Sequence, residues 1–198
     1  MKPQVSIIDL GGGNLASVAN AVKEVGGDPW WARTPGRATH IIVPGQGAFS
    51  DIPPDIRSGL TEAWIAGIPI LGICLGMQLM CEGSEEAPGV KGLGWIEGVC
   101  RRLEGPRLPH IGWSNIVLPS AANPEHEAAK GFYFCHSYAL HPDQPIMDNK
   151  APWGGAFAEY AGKMFMAIVL SGNLWAVQFH PEKSGKAGLA FLREFLKL

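Results

Sequence analysis

In the first 81 residues, short apolar runs alternate with stretches of helical character, and this alternation leaves few architectures open. Residues 5–10 (VSIIDL), 29–32, 40–43 and 68–73 are runs of four to six residues bounded by Gly, Pro, Asp or Thr. Runs of that length read as strands, and the first and last of them as strands buried on both faces. Between them, Asn14 opens a helical pattern with Leu15, Val18, Ala19, Val22 and Val25 on one face and Gly26-Gly27 as its stop, and residues 56–66 form a second one. Strand and helix in alternation predict an α/β chain with a mostly parallel sheet, whose ligands sit at the carboxyl ends of the strands. Downstream, residues 93–103, 113–118, 132–139, 155–160, 164–169 and 174–179 are strand-like, and 185–198 close as a helix with Leu189, Leu192, Phe195 and Leu196 inward. No linker, repeat or low-complexity tract interrupts the chain, so the expectation is one domain over 1–198.

One junction in this pattern points to chemistry. Gly72-Ile73-Cys74-Leu75-Gly76 places a cysteine between a buried strand and the helix-like stretch 75–81. A strand that turns at once into a helix exposes the residue at the turn, and small neighbours let a substrate approach. A thiol there also lies where the helix dipole favours the thiolate, the attacking form. A buried cysteine with only a packing role fits the same five residues.

A thiol nucleophile needs a base, and the base an orienting group. Gln178-Phe179-His180-Pro181-Glu182 offers both: a histidine after an apolar strand and a carboxylate two residues on, with Pro181 restricting the backbone between them. His136, after the apolar residues 132–135, is the second candidate base; a histidine satisfied at a strand end is the structural alternative for each. The loop Pro44-Gly45-Gln46-Gly47 follows a strand and can aim a backbone N–H at a developing oxyanion, complementing that of Leu75. Gly11-Gly12-Gly13 lacks both the dinucleotide spacing and a Walker lysine, so nucleotide binding is not indicated.

Composition narrows the classes. Sixteen Lys and Arg against eighteen Asp and Glu give a formal net charge of -2, without the basic footprint of a nucleic-acid binder. The four cysteines, at 74, 81, 100 and 135, show no zinc-type spacing, and Cys74 and Cys81 on one regular helix would stand too far apart for a disulfide. A reduced, cytoplasmic protein is expected. The residues before 5 show no secretory pattern, and the uncharged segment between Ala63 and Cys81 contains Pro69, Gln78 and several glycines, which suit strand, turn and helix better than a membrane span.

The GICLGMQ elbow and the HPE segment, in this order, resemble the class I triad glutamine amidotransferases. Similarity to the branch that feeds a (β/α)8-barrel cyclase in imidazole glycerol phosphate synthesis extends over Asp9 to Asn14 with Ser17, PGQGAF (44–49), Ser84-Glu85-Glu86, Gly92-Leu93-Gly94, PHIGW (109–113), FYFCHSY (132–138) and QFHPEKS (178–184). The resemblance implies a flavodoxin-like fold, with a mostly parallel central sheet flanked by helices and additional antiparallel strands in the second half. It implies Cys74 as nucleophile, His180 as general base and acid, and Glu182 as its orienting carboxylate. Backbone groups of Gln46, Gly47 and Leu75 would form the oxyanion hole. Gly45, Gln78, His136, Ser137 and Tyr138 would hold L-glutamine, and Asn14, Tyr138 and Lys183 would face the cyclase in a heterodimer. No cofactor or metal is implied. Gln46 stands where the family usually has valine, and Ala176 where glycine is frequent. A glutaminase component of an anthranilate or aminodeoxychorismate synthase is the alternative, and a PfpI-type cysteine hydrolase, which would lack the HPE segment, is a more distant one.

Overall fold

A computed structural model of the chain describes residues 2–12, 14–45, 47–117, 131–142 and 154–198. Its elements run β1 (Gln4–Ile8), α1 (Leu15–Glu24), β2 (Asp28–Ala32), β3 (His40–Val43), α2 (Pro54–Ile65), β4 (Ile70–Ile73), α3 (Leu75–Met80), β5 (Cys81–Ser84) and β6 (Ile96–Arg102). They continue with β7 (His110–Ser114), β8 (Phe132–His136), β9 (Tyr138–Ala139), β10 (Gly154–Tyr160), β11 (Lys163–Ser171), β12 (Leu174–Val177), a 3-10 turn (Pro181–Lys183) and α4 (Gly185–Phe195).

Seven strands form the central sheet in the order β10-β11-β12-β4-β3-β1-β2. From β12 to β2 all neighbours are parallel, whereas β10, β11 and β12 pair antiparallel. The strands alternate between two cores, as the two-residue period of a strand requires. Val5, Ile7, Ile42, Leu71 and Ile73 pack with Val18 and Val22 of α1 and Leu192 and Phe195 of α4, while Ile8, Ile41, Val43 and Ile70 pack with Ile56 and Leu60 of α2 and Met77 and Leu79 of α3. Helices therefore cover both faces, as the uniformly apolar runs predicted. Asn14 caps α1 through its side chain, which accepts from the Ser17 N–H at 3.1 Å.

Three expectations shift. Helix α3 stops at Met80, and Cys81 is already extended (φ -72°, ψ 176°) as the first residue of β5, so Cys74 and Cys81 do not share a helix face. Neither Met80 nor Cys81 is a Gly or Pro that would mark that stop; pairing of β5 with β6 imposes it. The strand expected at 113–118 is β7, three residues earlier, because β8 pairs it in a register that sets His110 opposite His136 and Ser114 opposite Phe132. Val117 instead bridges Phe157. The strand at 132–139 breaks at Ser137 into β8 and β9, which pair with different partners. Among the described residues no helix is long and apolar enough to cross a membrane.

Candidate active site

The elbow residue has the backbone that its neighbours foretell. Cys74 sits at φ 54° and ψ -108°, a conformation that costs a non-glycine residue about 1–3 kcal/mol and that surrounding structure must enforce. Its N–H donates to the Val177 carbonyl at 2.8 Å, and its carbonyl accepts from the Gln78 N–H at 3.2 Å. Gly76 lies against β3 so closely that a Cβ there would come 1.8 Å from the Val43 carbonyl oxygen. Gly45 also packs on the elbow, its hypothetical Cβ 2.5 Å from that of Leu75 and 3.0 Å from the Gly76 nitrogen, so the glycine loop and the elbow lie in close contact.

Parallel pairing closes the long sequence gap between thiol and histidine. Ile73 lies opposite Val177, so β4 and β12 deliver Cys74 and the segment after Val177 to the same edge of the sheet. His180 is held there by its N–H to the Tyr133 carbonyl (2.9 Å) and by the Ser184 hydroxyl, which donates to the His180 carbonyl (2.6 Å). Its Nδ1 stands 2.9 Å from Glu182 Oε1, with both side chains about 3% exposed. Glu182 Oε2 has no protein partner among the described residues. Burial pulls the His180 pKa down, but the neighbouring Cys74 sulfur and the bond to the Glu182 carboxylate outweigh it and raise the value to about 9. With Nδ1 on the carboxylate, Nε2 is the nitrogen left for the thiol.

His136, the rival base, is differently placed. It is buried, its Nδ1 is 3.0 Å from the Tyr138 carbonyl and its Nε2 3.3 Å from His110 Nδ1. Burial lowers its pKa to about 3, more than the bond to Tyr138 restores. Both ring nitrogens are occupied, which leaves His136 no lone pair for a substrate.

A cavity of about 370 Å³ opens on Cys74. Gly45, Gly47, Leu75, Gln78, His136, Ser137, Tyr138 and His180 line it, so most residues singled out in the sequence converge here. Glu182 lies behind His180, outside this lining, and Asn14 and Lys183 are also elsewhere; Gln46 falls outside the described residues. The structure adds Glu86, Pro109 and Cys135 to the wall. Glu86 also accepts the Phe49 N–H at 2.9 Å and so ties down the chain just after the glycine loop. Its signal was a carboxylate within the recognised SEE segment, without a spacing that linked it to the elbow.

Comparison with known proteins identifies the family. The family profile "Glutamine amidotransferase class-I" matches residues 7–198. The imidazole glycerol phosphate synthase subunit HisH of Thermus thermophilus is 41% identical, over 97% of this chain and 95% of that one. The chloroplastic imidazole glycerol phosphate synthase hisHF of Arabidopsis thaliana is 39% identical over 97% of this chain, which matches 34% of that longer protein. Among solved structures, PurLQS from Thermotoga maritima superposes with a TM-score of 0.74 at 18% identity, covering 100% of this chain and 98% of that one, a likeness of fold.

Proposed function

The chain belongs to the class I glutamine amidotransferase family, in the branch of the imidazole glycerol phosphate synthase glutaminase subunits of histidine biosynthesis, and we propose that Cys74 releases ammonia from glutamine for a (β/α)8-barrel cyclase. The observation that carries this reading is the convergence of Cys74 and His180 through the β4–β12 register on one cavity, with Glu182 behind His180.

In the proposed reaction the Cys74 thiolate attacks the side-chain amide carbon, forming a C–S bond and an oxyanion. Backbone N–H groups of Gln46 or Gly47 and of Leu75 stabilise that charge, and the close packing of Gly45 on Leu75 supports their nearness. Protonated His180, with Glu182 behind it, gives its proton to the amide nitrogen; the C–N bond breaks and ammonia leaves. Neutral His180 then takes a proton from water, the hydroxide attacks the glutamyl thioester, and glutamate departs as the thiolate reforms. Gln78 and the backbone of His136, Ser137 and Tyr138, with Gly45, hold the amino-acid end of the substrate. Glu86 adds the carboxylate that an α-ammonium requires.

The fused Arabidopsis relative supports a cyclase as the partner. We assign Asn14, Tyr138 and Lys183 to a heterodimer interface beside the exposed Trp113, which meets the Tyr133 ring edge-on while Lys183 Nζ lies 5.8 Å over that ring. A cytoplasmic location fits four free cysteines. The test is Cys74→Ser: glutamine-dependent synthesis by the complex with the cyclase is lost while synthesis from ammonium salts persists. Retained glutaminase activity would remove Cys74 from the role.

A further inference from the structure

The carbonyl of Tyr138 can only accept hydrogen bonds, and this sets the orientation of the side chains around it. Gln78 Nε2 lies 2.8 Å from that oxygen, so the amide nitrogen of Gln78 faces it. The other N–H of the same nitrogen reaches Gln178 Oε1 at 3.2 Å. Gln178 therefore turns its own Nε2 to the opposite side, where it stands 3.6 Å from Cys74 Sγ. Reversing the Gln178 amide would set nitrogen against nitrogen at Gln78 and oxygen against sulfur at Cys74. Rotation is blocked on packing grounds too, since Gln178 is wholly buried.

A second chain of bonds meets the same carbonyl. His136 Nδ1 donates to it, and the remaining lone pair of His136, on Nε2, accepts from His110 Nδ1. His110 Nε2 in turn accepts from the Ser114 hydroxyl at 3.2 Å. The His110 ring is clamped between Phe134 and Tyr160, at centroid distances of 5.4 and 4.6 Å. Both acceptor directions of the Tyr138 carbonyl are thus filled by buried donors on fixed supports.

At the sulfur, the neighbours differ in what they can do. The Cys135 carbonyl, 3.7 Å away, can only accept from the thiol S–H. The Gln178 N–H can only donate to sulfur, a bond that strengthens when the sulfur is charged. The register explains the placement: Cys74 and Gln178 are each one residue beyond the paired Ile73 and Val177.

We propose that Gln178 is a further catalytic residue of the glutaminase reaction, donating Nε2–H to the Cys74 sulfur and favouring the thiolate, in an orientation imposed through Gln78 by the Tyr138 carbonyl. The proposal rests on Cys74 being the nucleophile. Gln178→Met and Gln178→Leu each remove the donor at similar volume. In either variant of the full-length chain, the rate at which iodoacetamide alkylates Cys74 at neutral pH, followed on the Cys74 peptide by mass spectrometry, falls about tenfold. In the complex with the cyclase, kcat for glutamine falls about ten- to hundredfold, while KM stays within about threefold of wild type. An unchanged alkylation rate in a folded variant overturns the proposal, and so does a change confined to KM. Should neither variant fold, the side-chain amide protons of Gln178 in the otherwise native chain report instead: they shift on Cys74→Ala, and unchanged resonances refute the contact. Full glutaminase activity in Cys74→Ser would refute the nucleophile itself, a result separable from wild-type alkylation in the Gln178 variants.

Discussion

A single buried ion-pairing histidine makes activity and stability depend on alkaline pH in a definite direction. The folded pKa of His180, raised to about 9, lies above the ordinary 6.5. Its contribution to stability is therefore complete below about 6.5 and is lost as pH rises through about 9. The gap in unfolding free energy between wild type and His180→Gln, from urea titrations at about pH 6 and about pH 10, narrows at the higher pH; a constant gap contradicts the assignment. The pH profile of kcat/KM follows the same group: its alkaline limb lies near 9 and moves down in Glu182→Gln, which removes one of the charges that raise His180. At this scale the sequence was informative about chemistry and silent about state. HPE announced a histidine with a carboxylate, but neither the protonated His180 nor the neutral, fully bonded His136 could be read from their neighbours in sequence, because burial and hydrogen-bond partners from other strands decide both.

Elements here are defined by close approach as much as by propensity. Gly188 of α4 lies over the 3-10 turn that carries Glu182, and a Cβ on it would come 1.9 Å from the Pro181 carbonyl oxygen. Gly188→Ala gains helix propensity yet must lift α4 from that turn, so it destabilises the chain by about 1–3 kcal/mol by chemical denaturation and lowers kcat through the displaced Glu182. A stabilised, fully active variant would show that the turn and helix move independently. Boundaries set by composition were legible where a cap, a glycine stop or a short apolar run stands alone, as at β3 and α1, whereas β1 already ends at Ile8, β4 begins only at Ile70 and α4 ends at Phe195. Boundaries set by a partner strand were not. Cys81 leaves the helix and Trp113 joins an earlier strand only because β6 and β8 offer hydrogen-bond ladders that no local signal encodes.

The whole molecule presents exposed apolar groups where its partner is assigned. Ile111 and Trp113, each 60% exposed, stand outward on β7 beside Tyr133 and Lys183. Glutaminase turnover rises strongly when a barrel cyclase and its ligand are added, and Trp113→Ala weakens complex formation, measured by calorimetric titration, while leaving unfolding of the free chain nearly unchanged. Turnover indifferent to the cyclase would argue for a different partner. The chain by itself determined the class of fold, the thiol at a strand–helix junction and the histidine–carboxylate segment, because strand period, glycine turns and motif order are local properties of the chain. Only the tertiary structure decided that β12 lies beside β4, and with it that Cys74 meets both His180 and Gln178. Strand order is settled by long-range hydrogen bonds and by which apolar faces can be covered together, and neither is written in any one segment.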